Sequence, residues 1–246
     1  MNYIYTITDR NENSLFKKMI LSLKKHSDFS LILNIFQEKS WAENFCKKEL
    51  PGKVEIKYIE RGKWNNRRMA YKIENIKNCN FSEGDQVFVL DDDLIAQDDI
   101  FDAFKEEFDV CLTTRHYSYW YVINAGVWGF KWNETTRKFI DFYVNQIRNP
   151  TWAPLNEFRR RYSRGSSLDW WVDQDFLCVV KTNSLPFSCN IKDLGPQYNF
   201  CPSVEENLPG TFEVAKKQIL EMVGNKKYKI LHLKGRLKTI EGQISI

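Results

Sequence analysis

Apolar positions along the first hundred residues recur alternately with the period of a strand and the period of a helix. Tyr3 to Thr8 is a short β-rich run, and Ser14 to Lys25 carries Leu15, Phe16, Met19, Ile20 and Leu23 at the spacing of one helix face. Phe29 to Phe36 reads as a second strand. Ser40, with Glu43 three residues on, forms a capping-box pattern for a helix that stops at Leu50-Pro51-Gly52. Val54 to Ile59 alternates as a strand, Arg67 to Lys77 fits a helix, and Gln86 to Leu90 is an apolar strand. Strands separated by helices predict an α/β fold, a mostly parallel sheet with helices on both faces.

After Phe101 the pattern loosens. Val110 to Thr114 and Tyr121 to Phe130 read as strands and Asn133 to Arg148 as a helix. The stretch 149–167, NPTWAPLNEFRRRYSRGSS, reads as a basic loop, followed by helical patterns at Leu168 to Val180 and Thr211 to Val223 and a strand at Tyr228 to Leu233. No internal repeat and no long linker divide the chain, so a single domain over 1–246 is expected.

Composition narrows this little. Hydrophobic residues at 43% and charged residues at 28% are ordinary for a globular protein. An aromatic share of 15% with eight Trp suits a large core, and equally a surface that stacks on sugars or bases. A net charge of +4 is too weak a field to argue for nucleic acid or an anionic membrane. The six scattered cysteines include no C-x-x-C pair and read as free thiols in a reducing compartment. MNYIYTITDR lacks the basic and apolar regions of a signal peptide, and no apolar run approaches the ~20 residues of a transmembrane helix, so a cytoplasmic protein is expected.

The chemistry is concentrated in VFVLDDDLIAQDDIF, Val87 to Phe101, where a strand runs into three aspartates. Strand alternation points Asp91 and Asp93 one way and Asp92 the other, at the carboxyl end of a strand, where ligands sit in open α/β sheets. Two converging carboxylates are costly unless a cation such as Mg²⁺ or Mn²⁺ joins them; the bland alternative is a solvated acidic turn, with Asp98 and Asp99 capping a helix after them. Near the other end, KILHLKGRLK spaces His232, Gly235 and Lys238 evenly. The histidine suits a metal, the glycine a close backbone approach to phosphate, and the lysine its charge. Between them, INAGVWGF offers Asn124, Ala125 and Gly126 in an apolar strand, and VDQDFL offers Asp173 and Gln174.

Taken in order, LDDDLIAQDDIF, INAGV, DQD and HLKGRLK make the chain resemble family 8 of the glycosyltransferases, retaining nucleotide-sugar enzymes with a GT-A fold, over Tyr3 to Lys238. The resemblance implies that Asp91 and Asp93 form the D-x-D pair, that Asp93 and His232 ligate Mn²⁺ (or Mg²⁺), and that Asp91 touches the metal or the donor ribose. It implies that Lys238 and the Gly235 backbone hold the diphosphate, while Asn124, Ala125, Asp173 and Gln174 surround the transferred sugar. Thr8 and Asp9 would meet the nucleobase, and Lys72, or alternatively Arg68, would be a basic donor-binding residue. A UDP-sugar is the implied donor. Thr239-Ile240 replaces the family's Pro-Trp, and TDRNENS lacks its Asn-Tyr pair, so the base is left open. With only residues 239–246 after Lys238, no membrane-binding extension is expected.

For the acceptor, a glycan or protein is the default. Trp152, Phe158, Tyr162, Trp170 and Trp171 interleaved with Arg159, Arg160, Arg161 and Arg164 would stack on sugars, or on the bases of modified DNA with the arginines on phosphates. The alternative is a solvated basic face over core aromatics. Two rival functions remain: a nucleotide-sugar-binding module without turnover, and a phosphatase of the haloacid dehalogenase type. The latter also places D-x-D after a strand, but early in the chain and with Thr or Val where Ile95 stands here.

Overall fold

Gln86–Leu90 is apolar at four successive positions, so both of its faces need cover, and the chain supplies it. The computed structural model describes all residues except 10, 13, 37, 61–70, 115–122, 163–167, 183, 203, 205–208 and 246, with only the backbone course for 168–172. The strands are β1 (Asn2–Thr8), β2 (Ser30–Ile35), β3 (Val54–Tyr58), β4 (Gln86–Leu90), β5 (Leu94–Ala96), β6 (Val110–Thr114), β7 (Ile123–Lys131), β8 (Ile191–Asp193) and β9 (Ile230–His232). The helices are α1 (Ser14–His26), α2 (Ser40–Glu49), α3 (Glu134–Arg148), α4 (Ala153–Tyr162), α5 (Leu168–Thr182) and α6 (Phe212–Met222).

Seven strands form a sheet in the order β3-β2-β1-β4-β7-β6-β8, and β5 pairs with β9 in a separate small sheet. The pairs β1/β2, β1/β4, β2/β3 and β6/β8 are parallel, while β7 runs antiparallel to both β4 and β6. Strand alternation sorts the core. Val87, Val89, Trp128 and Phe130 face α3 and α5 with Phe139, Tyr143 and Phe176, whereas Phe88, Leu90 and Val127 face α1 with Phe16, Met19 and Ile20. Among the described residues the aromatic side chains are therefore largely core, with Tyr143 and Phe176 stacked at 4.1 Å. All six cysteines are free, five of them buried.

Several sequence expectations need correction. The Ser40 capping box does not form: Ser40 is the first helical residue, Lys39 takes the N-cap position with no side-chain bond, and Glu43 instead accepts from Lys47 and Tyr58. The true box lies at α3, where the Asn133 side chain accepts from Thr136 N and Thr136 Oγ1 accepts from Asn133 N. The expected loop at 149–167 contains α4. Pro154 is tolerated in its first turn, Gln146 Oε1 accepts from the Thr151 and Trp152 amides before it, and Glu157 pairs with Arg160 and Arg161 along it. The helix after Asp99 is only a 3-10 turn, Phe101–Lys105, with Asp99 Oδ1 accepting from Phe101 N and Asp98 paired to Lys229. Part of the helix expected from Arg67 lies outside the described residues.

Candidate active site

Backbone pairing alone brings three distant segments together at the carboxyl end of β4. Asp91 N donates to Gly126 O at 2.8 Å, and Leu233 N donates to Asp93 O at 2.9 Å. The β5/β9 register sets His232 opposite Leu94, next to Asp93. Ligand atoms of Asp91, Asp93 and His232 consequently lie within 4.8 Å of one another. His232 Nε2 is 3.0 Å from Asp93 Oδ1 and 4.0 Å from Asp91 Oδ2. Lys72 Nζ reaches Asp91 Oδ1 at 2.8 Å, and Lys238 Nζ reaches Asp93 Oδ2 at 2.7 Å. Asp93 and His232 are buried, whereas 39% of the Asp91 side chain is exposed, so the cluster opens to solvent on the Asp91 side.

Electrostatics hold both carboxylates charged. Burial alone would raise the Asp93 carboxyl, but His232 and Lys238 beside it overcome that and hold it far below the usual carboxylate range. Asp91 is likewise lowered: burial and Asp93 push it up, and Lys72 and His232 outweigh them. Burial would lower the Lys72 ammonium, yet Asp91, Asp173 and Asp92 keep it above its ordinary value. Asp173 is the exception. Burial, reinforced by Asp91, pushes its carboxyl up to about 6 against the pull of Lys72.

The residues fit a hard divalent cation. Two carboxylates and one imidazole are the donor types Mn²⁺ accepts, and the space between them is kept open by a glycine. A Cβ at Gly126 would lie 2.4 Å from Asp91 Oδ2, 2.6 Å from His232 Cε1 and 2.8 Å from Asn124 Oδ1. Any side chain there would crowd the ligand atoms.

The other expected site residues fall around this cluster unevenly. Asn124 is buried in β7, its Oδ1 accepting from Gly126 N at 2.7 Å, while its Nδ2 has no hydrogen-bond partner among the described residues. Ala125, Asp173 and Gln174 are buried, and Asp173 Oδ1 accepts from Gln174 N at 2.7 Å at the described start of α5 side chains. Gly235, at φ 49°, turns the chain from β9 toward Lys238. Asp92 does face the other way: its Oδ2 accepts from the buried Thr8 hydroxyl at 2.8 Å. That commits the Thr8 side chain inward, leaving Asp9 as the half-buried neighbour at the end of β1. Arg68 lies outside the described residues.

The expected acceptor surface shrinks. Arg159 turns inward, 13% exposed, with Nε 3.4 Å from Asp175 Oδ2, so it is a buried countercharge and not a surface contact. Trp152 packs against Phe142 and Phe176 and belongs to the core, and Phe158 also packs there. Arg160 and Arg161 are exposed but paired to Glu157. Arg164 and the side chains of Trp170 and Trp171 lie outside the described residues. Sequence reasoning also missed Asn199, whose Oδ1 lies 2.8 Å from His232 Nδ1. Nothing in the run QYNF marks it, because its contact is made across the fold.

The sequence matches no protein-family model and no curated protein. The structure, in contrast, has clear neighbours, glycosyltransferases among them. The galactosyltransferase LgtC, solved with donor and acceptor sugar analogues, superposes with a TM-score of 0.59 at 11% identity over 100% of this chain and 97% of that one. Mouse xyloside xylosyltransferase 1 gives 0.60 at 14% identity, over 96% of this chain and 98% of that one. GlyE of Streptococcus pneumoniae TIGR4 gives 0.58 at 16% identity, over 96% of this chain and 56% of that one. The chain thus has the GT-A glycosyltransferase fold, as the resemblance implied. The phosphatase alternative loses its footing, since D-x-D here meets a histidine and a lysine from the C-terminal segment within this fold.

Proposed function

We propose that the chain is a glycosyltransferase that moves a sugar from a nucleoside-diphosphate donor, a UDP-sugar, to a glycan or protein acceptor, using Mn²⁺ or Mg²⁺ and retaining configuration. The observation that carries this reading is the convergence of Asp91, Asp93 and His232 at the carboxyl end of β4, in a fold shared with sugar transferases. Asp91, Asp93 and His232 would hold the cation, which when bound supplies Lewis-acid stabilisation of the departing diphosphate. Lys238 adds a second positive charge at the same oxygens, and the Gly235 turn lets the backbone approach them. Lys72 holds Asp91 ionised and in place. Asn124 Nδ2, buried and aimed away from its own backbone bond, suits a sugar hydroxyl, and Asp173 with Gln174 would border the reacting carbon. Two routes to retention fit these residues: attack by Asp173 or Gln174 below the ring, or same-face transfer in which the leaving phosphate takes the acceptor proton.

The test is thermal stability against a panel of nucleoside diphosphates, each with and without Mn²⁺, with sugar release from the matching donor measured next. A ligand at a hundred times its Kd raises stability by about 2.7 kcal/mol, or about 5–10 °C for a domain of this size. Stabilisation by UDP only when Mn²⁺ is present supports the donor site. Stabilisation without any sugar release would leave a binding module, and no response to any nucleotide would refute the proposal.

A further inference from the structure

One buried hydrogen-bond chain behind the cluster has its direction set at every link. Thr113 Oγ1 lies 2.7 Å from Val127 O. A carbonyl only accepts, so the hydroxyl donates there and its oxygen is left to accept. Asn199 Nδ2 fills that role at 3.0 Å, which turns the amide oxygen the other way. Asn199 Oδ1 therefore faces His232 Nδ1 at 2.8 Å and requires a proton on it, and the Cys201 thiol approaches the same oxygen at 3.9 Å as a further donor. Thr113, Asn199 and His232 are buried to within 1% exposure, so water does not compete for any of these bonds. Asn199 is itself pinned: its N donates to Pro196 O, and the next residue, Phe200, bridges to Leu231 beside His232.

We infer that Asn199 is a positioning residue for the metal site, holding His232 in the orientation and Nδ1–H tautomer that leave the Nε2 lone pair facing Asp91 and Asp93, with Thr113 locking the amide of Asn199. This deepens the metal-dependent reading and rests on it. An imidazole whose far nitrogen is held by a buried acceptor is both oriented and made a better donor, and loss of such a partner typically weakens metal binding by about 10–100-fold. The bond runs from a carbonyl of β7 to a ligand on β9, so the strand that carries Asn124 and Gly126 also sets the ring of His232.

The experiment measures Mn²⁺ affinity by the electron paramagnetic resonance of free Mn²⁺ for the wild type, Asn199→Leu, Asn199→Asp and Thr113→Val. Affinity should fall about 10–100-fold in Asn199→Leu, be largely restored in Asn199→Asp, which keeps an acceptor for Nδ1–H, and fall to an intermediate degree in Thr113→Val. The second readout is the ring ¹⁵N spectrum of labelled histidine with Mg²⁺ bound. Only His26, His116 and His232 are present, and a His232→Gln sample assigns the signal. The wild type should carry the proton on Nδ1, which is readable even if Asn199→Leu fails to fold. Wild-type Mn²⁺ affinity shared unchanged by Asn199→Leu overturns the positioning role and leaves the metal reading standing, whereas a proton on Nε2 with Mg²⁺ bound overturns the positioning role and also removes His232 from the ligand set. A wild type that binds no Mn²⁺ overturns both.

Discussion

Burial of the Asp173 carboxyl carries a stability cost that can be measured directly. It is 7% exposed, and its carboxyl is pushed from an ordinary 3.8 up to about 6. Because the folded value is raised, the contribution of this group to stability is fully present below the unfolded value and is lost as pH rises through about 6. A difference of about two pH units corresponds to about 3 kcal/mol at pH 7.5, where the carboxylate must be ionised in a buried place. Asp173→Asn mimics the neutral form and can still accept from Gln174 N. The metal-free variant should therefore be more stable than the wild type by up to about 3 kcal/mol at pH 7.5, equivalent to about 6–12 °C in Tm. The gap should shrink to about half at pH 5, as the wild-type group takes up its proton. Urea or thermal unfolding across that pH range is the assay, with donor turnover measured in parallel and expected to fall about 100-fold or more. A variant no more stable than the wild type at pH 7.5, or a gap that ignores pH, would refute the claim that burial dominates at this carboxyl.

The Asp91, Asp93 and His232 cluster and its surroundings set the remaining outcomes. Asp93→Asn and His232→Ala should abolish Mn²⁺-dependent stabilisation by nucleotide while leaving the fold intact by circular dichroism, whereas Asp92→Asn, bonded on the Thr8 side, should bind Mn²⁺ normally at a cost of about 1 kcal/mol in stability. Gly126→Ala should weaken Mn²⁺ binding at least tenfold by calorimetric titration, since its Cβ would lie 2.4 Å from Asp91 Oδ2; unchanged affinity would mean that the ligands sit elsewhere. Lys238→Met removes an ammonium paired with Asp93, which the proposed cation would also use, so Mn²⁺ alone should bind as tightly or more tightly while nucleoside-diphosphate affinity falls about tenfold, and a parallel loss of both would contradict the proposed phosphate role. Arg159→Ala removes an inward-facing positive charge 3.4 Å from buried Asp175 and should destabilise the fold more than exposed Arg160→Ala, which should stay within about 0.5 kcal/mol; equal effects would return Arg159 to the surface.

What could be read from the amino-acid order was whatever depends on local spacing. Leu15, Phe16, Met19, Ile20 and Leu23 announced the buried face of α1, and the unbroken apolar run of β4 announced a central strand covered on both sides. The alternation that set Asp91 and Asp93 apart from Asp92 held even though all three lie just past the strand end, because Thr8 draws Asp92 to the opposite side. Motif spacing also singled out His232 and Lys238. Local spacing failed where one pattern serves two structures: the Ser40 motif has the letters of a capping box, and the arginines of α4 have the letters of a solvated loop. Burial decided the arginines, turning Arg159 inward to Asp175 and leaving Arg160 outside. Most of the site is nonlocal. Gly126 matters because of two side chains that approach it from the ends of β4 and β9, and Asn199 because of a ring and a hydroxyl contributed by β9 and β6. A linear sequence records which groups are available, but hydrogen-bond direction, crowding and desolvation arise only between groups that the packed sheet brings together.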